Sequence, residues 1–405
     1  MAGTVAKTLL LSGTPPGKAN VAEIILHDLV EYAGPSQFVC CAVVSPNYHW
    51  APEQAPPGLD VRLLQARNMV AQRGSRSKWS AVRSLWGTFT GLRGEVSRLV
   101  PEIVAAARES GVQQVFAVLD NALLFALAHR VAAALDKPLV VLVWDPPNYV
   151  LQQAHFDRYS RIWLHGQFKR SLSVARRVAV VSETMQADYA AFTTAPIQLL
   201  RHGLAGIADG PSAVETVSAA TEWQIGFAGS MYARCAWRAF MRALDHADWT
   251  IAGRPVRLKV LSSRLDVSSR RAANIDYLGF RPPEEAQRVL ASCHLNYMPQ
   301  PFQSHLRELC RYSFPTKLTS YLSVGRPVFV HAPRDSALIS FVQRSPIGAT
   351  ATSQDPAAIA AALESILGND QVYSEAAASV RSVAAAHFSE RSFHASIDEL
   401  LPTLG

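Results

Sequence analysis

The sequence contains no apolar run that approaches the roughly 20 residues needed to span a bilayer as a helix. The apolar stretch near the N-terminus, residues 9–11, is also too short for the hydrophobic region of a signal peptide. We therefore expect a cytoplasmic protein, either free or peripheral on the inner face of the cytoplasmic membrane.

Cysteine is scarce, and its spacing suits neither a metal site nor a disulfide framework. The five residues include no Cys-x-x-Cys pair, and no histidine cluster accompanies them at zinc spacing. Where they lie in apolar runs, free cysteines behave as small hydrophobic residues. We expect no metal site, and we expect all five to be reduced and structural: Cys40, Cys41, Cys235, Cys293 and Cys310.

Acidic residues are nearly absent from residues 62–98. Eight arginine and lysine side chains fall there against Glu95 alone, so this stretch carries a charge equal to the net +7 of the whole chain. Four apolar side chains recur in it at helical spacing: Trp79, Val82, Trp86 and Phe89. This composition is typical of an interfacial helix on an anionic membrane, but also of a helix packed on its own domain with a solvated basic face. No nucleic-acid-binding motif accompanies the charge, and we expect no nucleic-acid partner.

The length of 405 residues exceeds what one hydrophobic core usually supports. Short buried strands alternate with amphipathic helices, which is the pattern of parallel α/β sheets. The pattern stops once, over a small, polar stretch with proline and glycine. We therefore predict an N-terminal domain over 1–205, a linker over 206–220, a C-terminal domain over 221–385, and a C-terminal helix over 386–405 that could pack back on the N-terminal domain.

Two aspartates follow predicted strands of the N-terminal domain. Parallel α/β sheets bind ligands at the carboxyl ends of their strands, so polar residues at these ends are site candidates. Asp120 follows the strand predicted over 114–119, and Asp145 follows soon after the strand over 139–143. Each could equally be a helix cap or a turn residue. The glycine-bearing loop 13–20 follows the first strand but lacks the Walker spacing.

Residues 314–327 give the clearest local signal in the chain. They predict a short helix with Pro315 at its first position and Ser313 as a cap. Its expected buried face recurs at i, i+3 and i+4: Leu318, Tyr321 and Leu322. Gly325 suits the left-handed turn that ends a helix, and Pro327 prevents continuation before a buried strand.

The first turn of this predicted helix holds Thr316 and Lys317. Free backbone N–H groups and the helix dipole favour an anion at such a position. A cation and a hydroxyl placed there suit a diphosphate. The alternative is an ordinary surface lysine.

Four segments together resemble bacterial glycosyltransferases of the GT-B fold, close to the family 4 type. The strongest is the block Pro-x-Lys-Leu-x-Glu-Tyr-Leu-x-x-Gly-x-Pro-Val, which the chain matches at Pro315, Lys317, Leu318, Tyr321, Leu322, Gly325, Pro327 and Val328. Arg201-His202-Gly203 falls where the family usually has Pro-Asn-Gly. Residues 225–230 look like the family's phosphate-facing turn, and residues 278–280 look like the segment that borders the nucleobase.

The resemblance implies two Rossmann-like α/β domains that face each other across a cleft. It also implies a hexosyltransferase that moves a sugar from a nucleotide-sugar donor to a hydroxyl group of a cell-envelope, polysaccharide, or other glycan or lipid-linked acceptor. Many enzymes of this fold neutralise the leaving diphosphate with protein cations and helix N-termini. We therefore expect no metal and no other cofactor.

Candidate site residues follow from the resemblance and from position in the chain. The donor-binding candidates are Gly229, Ser230, Arg234, Phe280, Arg311, Thr316, Lys317 and Ser320. Lys317 is the first choice for the diphosphate. If the enzyme inverts, it needs a general base from the N-terminal domain, for which the candidates are Asp145, Asp120 and His202.

Two positions depart from the family pattern. The glutamate of the conserved block is Ser320 in this chain, and the position eight residues earlier is Tyr312. Without these carboxylates, the choice between inversion and retention stays open. Two alternatives also stay open: an epimerase-like enzyme on the same fold, and a non-catalytic subunit that binds a nucleotide sugar.

Overall fold

The computed structural model describes residues 6–67, 78–203, 220–263 and 272–401, and for residues 78–88 and 272 it describes the backbone alone. The predicted linker 206–220 lies outside these ranges except for Ala220, and so do the side chains of Trp79, Val82 and Trp86. The chain divides into two compact units. The first runs to Leu200 and takes in the residues from His394 onward, and the second covers Arg201–Phe393.

The first unit contains a seven-stranded sheet in which all strand pairs are parallel. Its strands are β1 (Thr8–Ser12), β2 (Phe38–Val44), β3 (Asp60–Gln65), β4 (Gln114–Val118), β5 (Leu139–Val143), β6 (Arg177–Val180) and β7 (Ile197–Leu199). They lie in the order β3-β2-β1-β4-β5-β6-β7, so the winding direction reverses between β1 and β4. Strands β1, β2, β4 and β5 are buried throughout, as expected for a parallel sheet covered on both faces.

Six α-helices of the described ranges connect these strands: α1 (Val21–Ala33), α2 (Lys78–Glu109), α3 (Ala122–Leu135), α4 (Pro147–Gln153), α5 (Arg158–Val174) and α6 (Glu183–Tyr189). Short polar side chains fix where several of them begin. Asn20 caps α1, Asn121 caps α3 and Asp157 caps α5, each accepting from backbone N–H groups of the first turn.

The second unit repeats the α/β alternation. Its strands are β8 (Trp223–Ala228), β9 (Thr250–Ile251), β10 (Arg254–Leu261), β11 (Ile275–Tyr277), β12 (Leu295–Pro299), β13 (Val328–His331) and β14 (Thr350–Ala351). The parallel strands lie in the order β11-β10-β8-β12-β13-β14, and β9 pairs antiparallel with β10. The winding direction therefore reverses between β8 and β12.

The part of the second unit that the structure describes contains seven complete α-helices: α7 (Arg234–His246), α8 (Pro283–Ser292), α9 (Arg307–Tyr312), α10 (Lys317–Ser323), α11 (Ala337–Arg344), α12 (Pro356–Leu367) and α13 (Asp370–His387). They bury two hydrophobic clusters. One is rich in aromatic rings, and its Phe240 stacks on Tyr297 with ring centroids 4.1 Å apart. The other contains Leu318, Tyr321 and Leu322, so the predicted buried face of α10 is confirmed.

The last helix, α14 (Glu390–Leu400), crosses the point at which the chain returns to the first unit. His394 stacks on Tyr32 of α1 at 3.6 Å between ring centroids, and Asp398 accepts a hydrogen bond from the Tyr32 hydroxyl at 2.8 Å. Arg177 at the start of β6 donates to the backbone oxygen of Glu399 at 2.6 Å. These contacts hold the end of the chain against the N-terminal sheet and α1.

Two further observations concern the helices and the cysteines. No helix within the described ranges combines the length and the apolar character that a membrane crossing requires. All five cysteines are free, and four of them are buried: Cys40, Cys41, Cys293 and Cys310.

Candidate functional site

The start of α10 differs from the prediction. The helix begins at Lys317 rather than at Pro315, with Thr316 at the N-cap position and no side-chain cap. Ser313 instead ends α9, where its backbone N–H donates to the Leu309 oxygen at 2.7 Å. The cause is local, because α9 ends at Tyr312 and takes Ser313 as its C-cap, which leaves only a short segment before α10. The predicted end of the helix is confirmed, since Gly325 has a φ of 69°.

Lys317 turns its ammonium group toward the carboxyl end of β8. Its Nζ donates to the backbone oxygen of Ser230, and it lies 4.9 Å from the ring centroid of Phe227 and 5.4 Å from that of Tyr232. Burial lowers the pKa of Lys317 to about 8. The ammonium is therefore charged at neutral pH but is incompletely solvated.

A glycine makes this approach possible. Gly229 has a φ of 89°, a conformation that L side chains rarely adopt. A Cβ atom at this position would stand 3.0 Å from Cε of Lys317. The close approach of these two donor-binding candidates, Gly229 and Lys317, thus has a steric basis.

Tyr321 fixes α10 against the same strand end. Its side chain is 1% exposed, and its hydroxyl oxygen accepts a hydrogen bond from the backbone N–H of Ala228 at 2.9 Å. One turn of helix separates Tyr321 from Lys317. The orientation of the lysine therefore depends on a buried contact as well as on its own hydrogen bond.

A pocket of about 250 Å³ lies beside the lysine within the second unit. Four predicted donor-binding residues line it: Gly229, Phe280, Lys317 and Ser320. Phe280 follows β11 and is 61% exposed, so much of its side chain is available to a ligand. Helix α8 closes the far wall with Ala286, Gln287 and Leu290. The pocket thus combines a cation, a hydroxyl and an exposed aromatic ring.

The remaining donor-binding candidates do not line this pocket. Ser230 contributes through its backbone oxygen, which accepts from Lys317. Arg234 and Thr316 are exposed, and the guanidinium of Arg311 lies 5.5 Å from the ring centroid of Tyr312. A second cation that the sequence analysis missed, Arg281, does line the pocket and pairs with Glu285 at 3.1 Å. Its only signal in the sequence is its place directly after Phe280.

The N-terminal sheet brings a second group of polar side chains together where its winding reverses. Gly13 follows β1, and its backbone N–H donates to both carboxylate oxygens of Asp120, at 3.1 and 3.2 Å. A Cβ atom on Gly13 would stand 2.4 Å from Oδ1 of Asp120 and from Nδ2 of Asn121. That Nδ2 is buried and has no hydrogen-bond partner among the described residues. Neither the Gly13 contact nor the buried amide could be predicted from the sequence.

Asp120 has unusual acid–base properties for a carboxyl group. Loss of solvent around it raises the pKa of Asp120, the Gly13 N–H opposes the shift, and the negative charge of Asp145 adds to it, so that the pKa is about 7. Asp145 follows β5 at the same edge of the sheet, and its charge also contributes to the raised pKa of Tyr149. The two predicted aspartates are therefore near neighbours, and one of them titrates close to neutral pH.

His202 lies in the second unit, whereas it was expected on the N-terminal side. Its ring meets the edge of Phe393 with 5.5 Å between centroids. The preceding Arg201 is buried and stacks over Phe314 at 4.1 Å, with two further phenylalanine rings within 6 Å. Aromatic rings therefore surround both side chains of this segment.

No family model matches the chain, and no curated protein matches it in sequence. Solved structures do match it. Anabaena HepE in complex with UDP and glucose is 15% identical with a TM-score of 0.60, over 98% of this chain and 100% of that one. Sucrose-phosphate synthase from Thermosynechococcus elongatus is 15% identical with a TM-score of 0.61, over 97% and 98%. α,α-Trehalose 6-phosphate synthase from Burkholderia multivorans is 11% identical with a TM-score of 0.63, over 98% and 96%.

The chain has the GT-B fold. Its two Rossmann-like α/β units match those of GT-B glycosyltransferases along almost their whole length. The fold predicted from the four sequence segments is thereby confirmed. Within this fold, the Lys317 pocket lies in the second unit and the Asp120 cluster in the first.

We predict that Asp120→Asn changes how the stability of the protein depends on pH. The ordinary pKa of this carboxyl is 3.8, so its raised pKa means that the folded chain keeps a proton which the unfolded chain releases. The stabilisation from that proton is complete below about pH 4 and is lost as the pH rises through about 7. The free energy of unfolding of the asparagine variant should not show this fall. Urea unfolding between pH 4 and 8 measures it.

Asp136→Asn is the matched control, because Asp136 is an exposed aspartate of the same unit and asparagine tolerates its left-handed conformation. It should follow the wild-type profile. Carboxyl ¹³C chemical shifts would report the titration of Asp120 directly. A midpoint near 4 for that carboxyl would contradict the assignment.

Proposed function

We propose that the protein is a glycosyltransferase that transfers a hexosyl group from a nucleotide-sugar donor to an acceptor hydroxyl. The observation that carries the proposal is the pocket in the second unit of a GT-B fold, where the Lys317 ammonium and the exposed Phe280 ring line one cavity. A diphosphate needs the first group, and a nucleobase can stack on the second.

The donor would lie along this pocket. Lys317, supported by Arg281, would neutralise the diphosphate as it leaves, and the Ser320 hydroxyl could donate one hydrogen bond to the ribose. Among the described residues that line the pocket there is no carboxylate of the kind that Mg²⁺ prefers. This donor set supports a reaction that relies on protein cations and needs no metal. HepE is similar in fold and is described in complex with UDP, so UDP sugars are the first donors to test.

Asp120 is the better candidate for a general base in an inverting reaction. A base is most effective when its pKa lies near the working pH, and the pKa of Asp120 is raised to about 7. The sequence favoured Asp145, but the described contacts place the Gly13 N–H and the Asn121 amide around Asp120. Asp145 would then act through its charge, which raises the pKa of Asp120.

The acceptor we propose is a cell-envelope, polysaccharide or lipid-linked glycan, reached from the inner face of the membrane through the basic stretch 62–98. Part of this stretch is occupied within the protein. Arg62 pairs with Asp60 and Glu109, Arg98 also pairs with two glutamates, and Phe89 packs edge-on against Trp163 of α5. The proposal therefore rests on the other cations of the stretch. Sedimentation with anionic vesicles tests this membrane contact. Failure of the protein to sediment with the vesicles would contradict it.

One observation favours a second candidate, a non-catalytic subunit that binds a nucleotide sugar. Ser320 lies in the pocket, at the position where glycosyltransferases of the similar family carry glutamate. Donor hydrolysis without acceptor separates the two candidates. A transferase should release UDP slowly from at least one UDP sugar and lose that release in Asp120→Asn or Lys317→Ala. A protein that binds UDP sugars yet never releases UDP would be the subunit.

We predict that Lys317→Ala lowers UDP affinity about 10- to 100-fold, since a charged hydrogen bond is worth about 1.5–3 kcal/mol. In the wild type, affinity should fall as the pH rises from 7 to 9, because the lysine loses its proton near pH 8. Lys317→Arg stays charged over this range and should give a flatter profile. Isothermal titration calorimetry measures UDP binding by the wild type and by these two variants.

Two further variants sharpen this test. Lys259→Ala removes a lysine of the same unit that pairs with Ser292 and does not line the pocket, so UDP affinity should stay within about twofold of the wild type. Phe280→Ala should weaken UDP but leave inorganic pyrophosphate unchanged, since only UDP carries a base to stack. Equal UDP binding by Lys317→Ala and the wild type would contradict the diphosphate assignment.

A further inference from the structure

A second pocket, of about 660 Å³, lies in the first unit between α3 and α5. Residues 136–139 lead from α3 into β5, and Arg176 stands directly before β6. The pocket therefore lies at the amino edge of the sheet. Asp120 and Asp145 lie at the opposite, carboxyl edge, so this pocket is separate from the candidate catalytic residues of the same unit.

The lining of this pocket is strongly basic. Four cations contribute to it, Arg130, Lys137, Arg170 and Arg176, against the single carboxylate of Asp136. None of the four forms an ion pair with a carboxylate anywhere in the described ranges. Elsewhere in this unit, by contrast, Arg62 and Arg98 each pair with two acidic side chains. The pocket thus gathers positive charge that no ion pair within the described ranges neutralises.

Arg130 lies at the wall of the pocket and is held in place. Its guanidinium donates to the backbone oxygen of Ala126 at 2.6 Å and to Oε1 of Gln167 at 2.7 Å. Burial lowers the pKa of Arg130, and the charges of Arg170 and Arg93 lower it further. The same surroundings lower the pKa of His129 to about 4, so this histidine is neutral at pH 7. The guanidinium is therefore already oriented, and the positive charges around it favour the binding of an anion.

Free carbonyl groups at the end of α3 would repel an anion, but three of these groups accept hydrogen bonds. The oxygen of Ala132 accepts from the N–H of Lys137, and that of Ala133 accepts from the N–H of Asp136 at 3.2 Å. Arg108 donates to the oxygen of Ala134 at 3.1 Å. The negative end of the helix dipole is therefore largely satisfied where the helix borders the pocket.

We propose that this pocket binds a phosphate-bearing ligand other than the sugar donor. The planar guanidinium groups of Arg130, Arg170 and Arg176 match the geometry of phosphate oxygens, and Lys137 adds a point charge. Ala132, Ala133, Pro138 and Val174 supply apolar wall for the organic part of the ligand. A phosphomonoester free in solution and a phospholipid headgroup share this chemistry.

The test uses the full chain with Lys317→Ala, so that the donor pocket contributes little to phosphate binding. Calorimetric titration with inorganic pyrophosphate and with glycerol 3-phosphate should show binding to this protein. Adding Arg170→Gln and Arg176→Gln, both at exposed positions, should weaken that binding at least about tenfold. Arg158→Gln with Arg161→Gln removes the same charge from the other end of α5 and should leave it unchanged.

Binding to vesicles of phosphatidylglycerol, compared with vesicles of phosphatidylcholine, distinguishes a phospholipid headgroup from a phosphomonoester free in solution. Glycerol 3-phosphate binding without vesicle binding identifies a soluble phosphomonoester. Phosphatidylglycerol binding that is lost in the Arg170/Arg176 variant but kept in the Arg158/Arg161 variant identifies a lipid headgroup. Absence of binding to every probe, or equal binding by the pocket and control variants, would overturn the proposal.

Discussion

A partly buried ammonium group, that of Lys317, is the constraint on which the candidate donor site depends. An ammonium removed from water loses hydration, and the single carbonyl of Ser230 replaces only part of it. The rings of Phe227 and Tyr232 add cation–π attraction of about 0.5–2 kcal/mol, yet the pKa of the lysine still falls to about 8. The site therefore lacks negative charge, which a diphosphate in the adjoining pocket would supply.

The two units position their functional candidates by the same topological rule. In each sheet the winding direction reverses beside the first strand of the unit, between β1 and β4 and between β8 and β12. Loops that leave neighbouring strands in opposite directions create a crevice at such a point. Gly13 and Asp120 border the first crevice, and Gly229 with the Lys317 ammonium borders the second. In both, a glycine lets a charged side chain approach the end of the first strand.

Local patterns in the sequence were sufficient for the fold and for part of the site. The buried face of α10 and the left-handed Gly325 follow from side-chain spacing and from the freedom of glycine. The start of α10 does not, because the preceding helix α9 takes Ser313 as its C-cap. The contact between Gly13 and Asp120 does not either, because Asp120 is more than 100 residues away in the sequence. Arg130 and the other cations of the second pocket come from separate segments of the chain, so no local motif predicts that they lie together.

The central claim is that the diphosphate of a nucleotide sugar binds at Lys317, and a crystal structure of the full chain with UDP tests it most directly. The account predicts diphosphate oxygens within hydrogen-bond distance of the Lys317 Nζ atom and the uracil ring against Phe280. UDP bound away from this pocket, with the Lys317 ammonium still on the Ser230 oxygen, would contradict it.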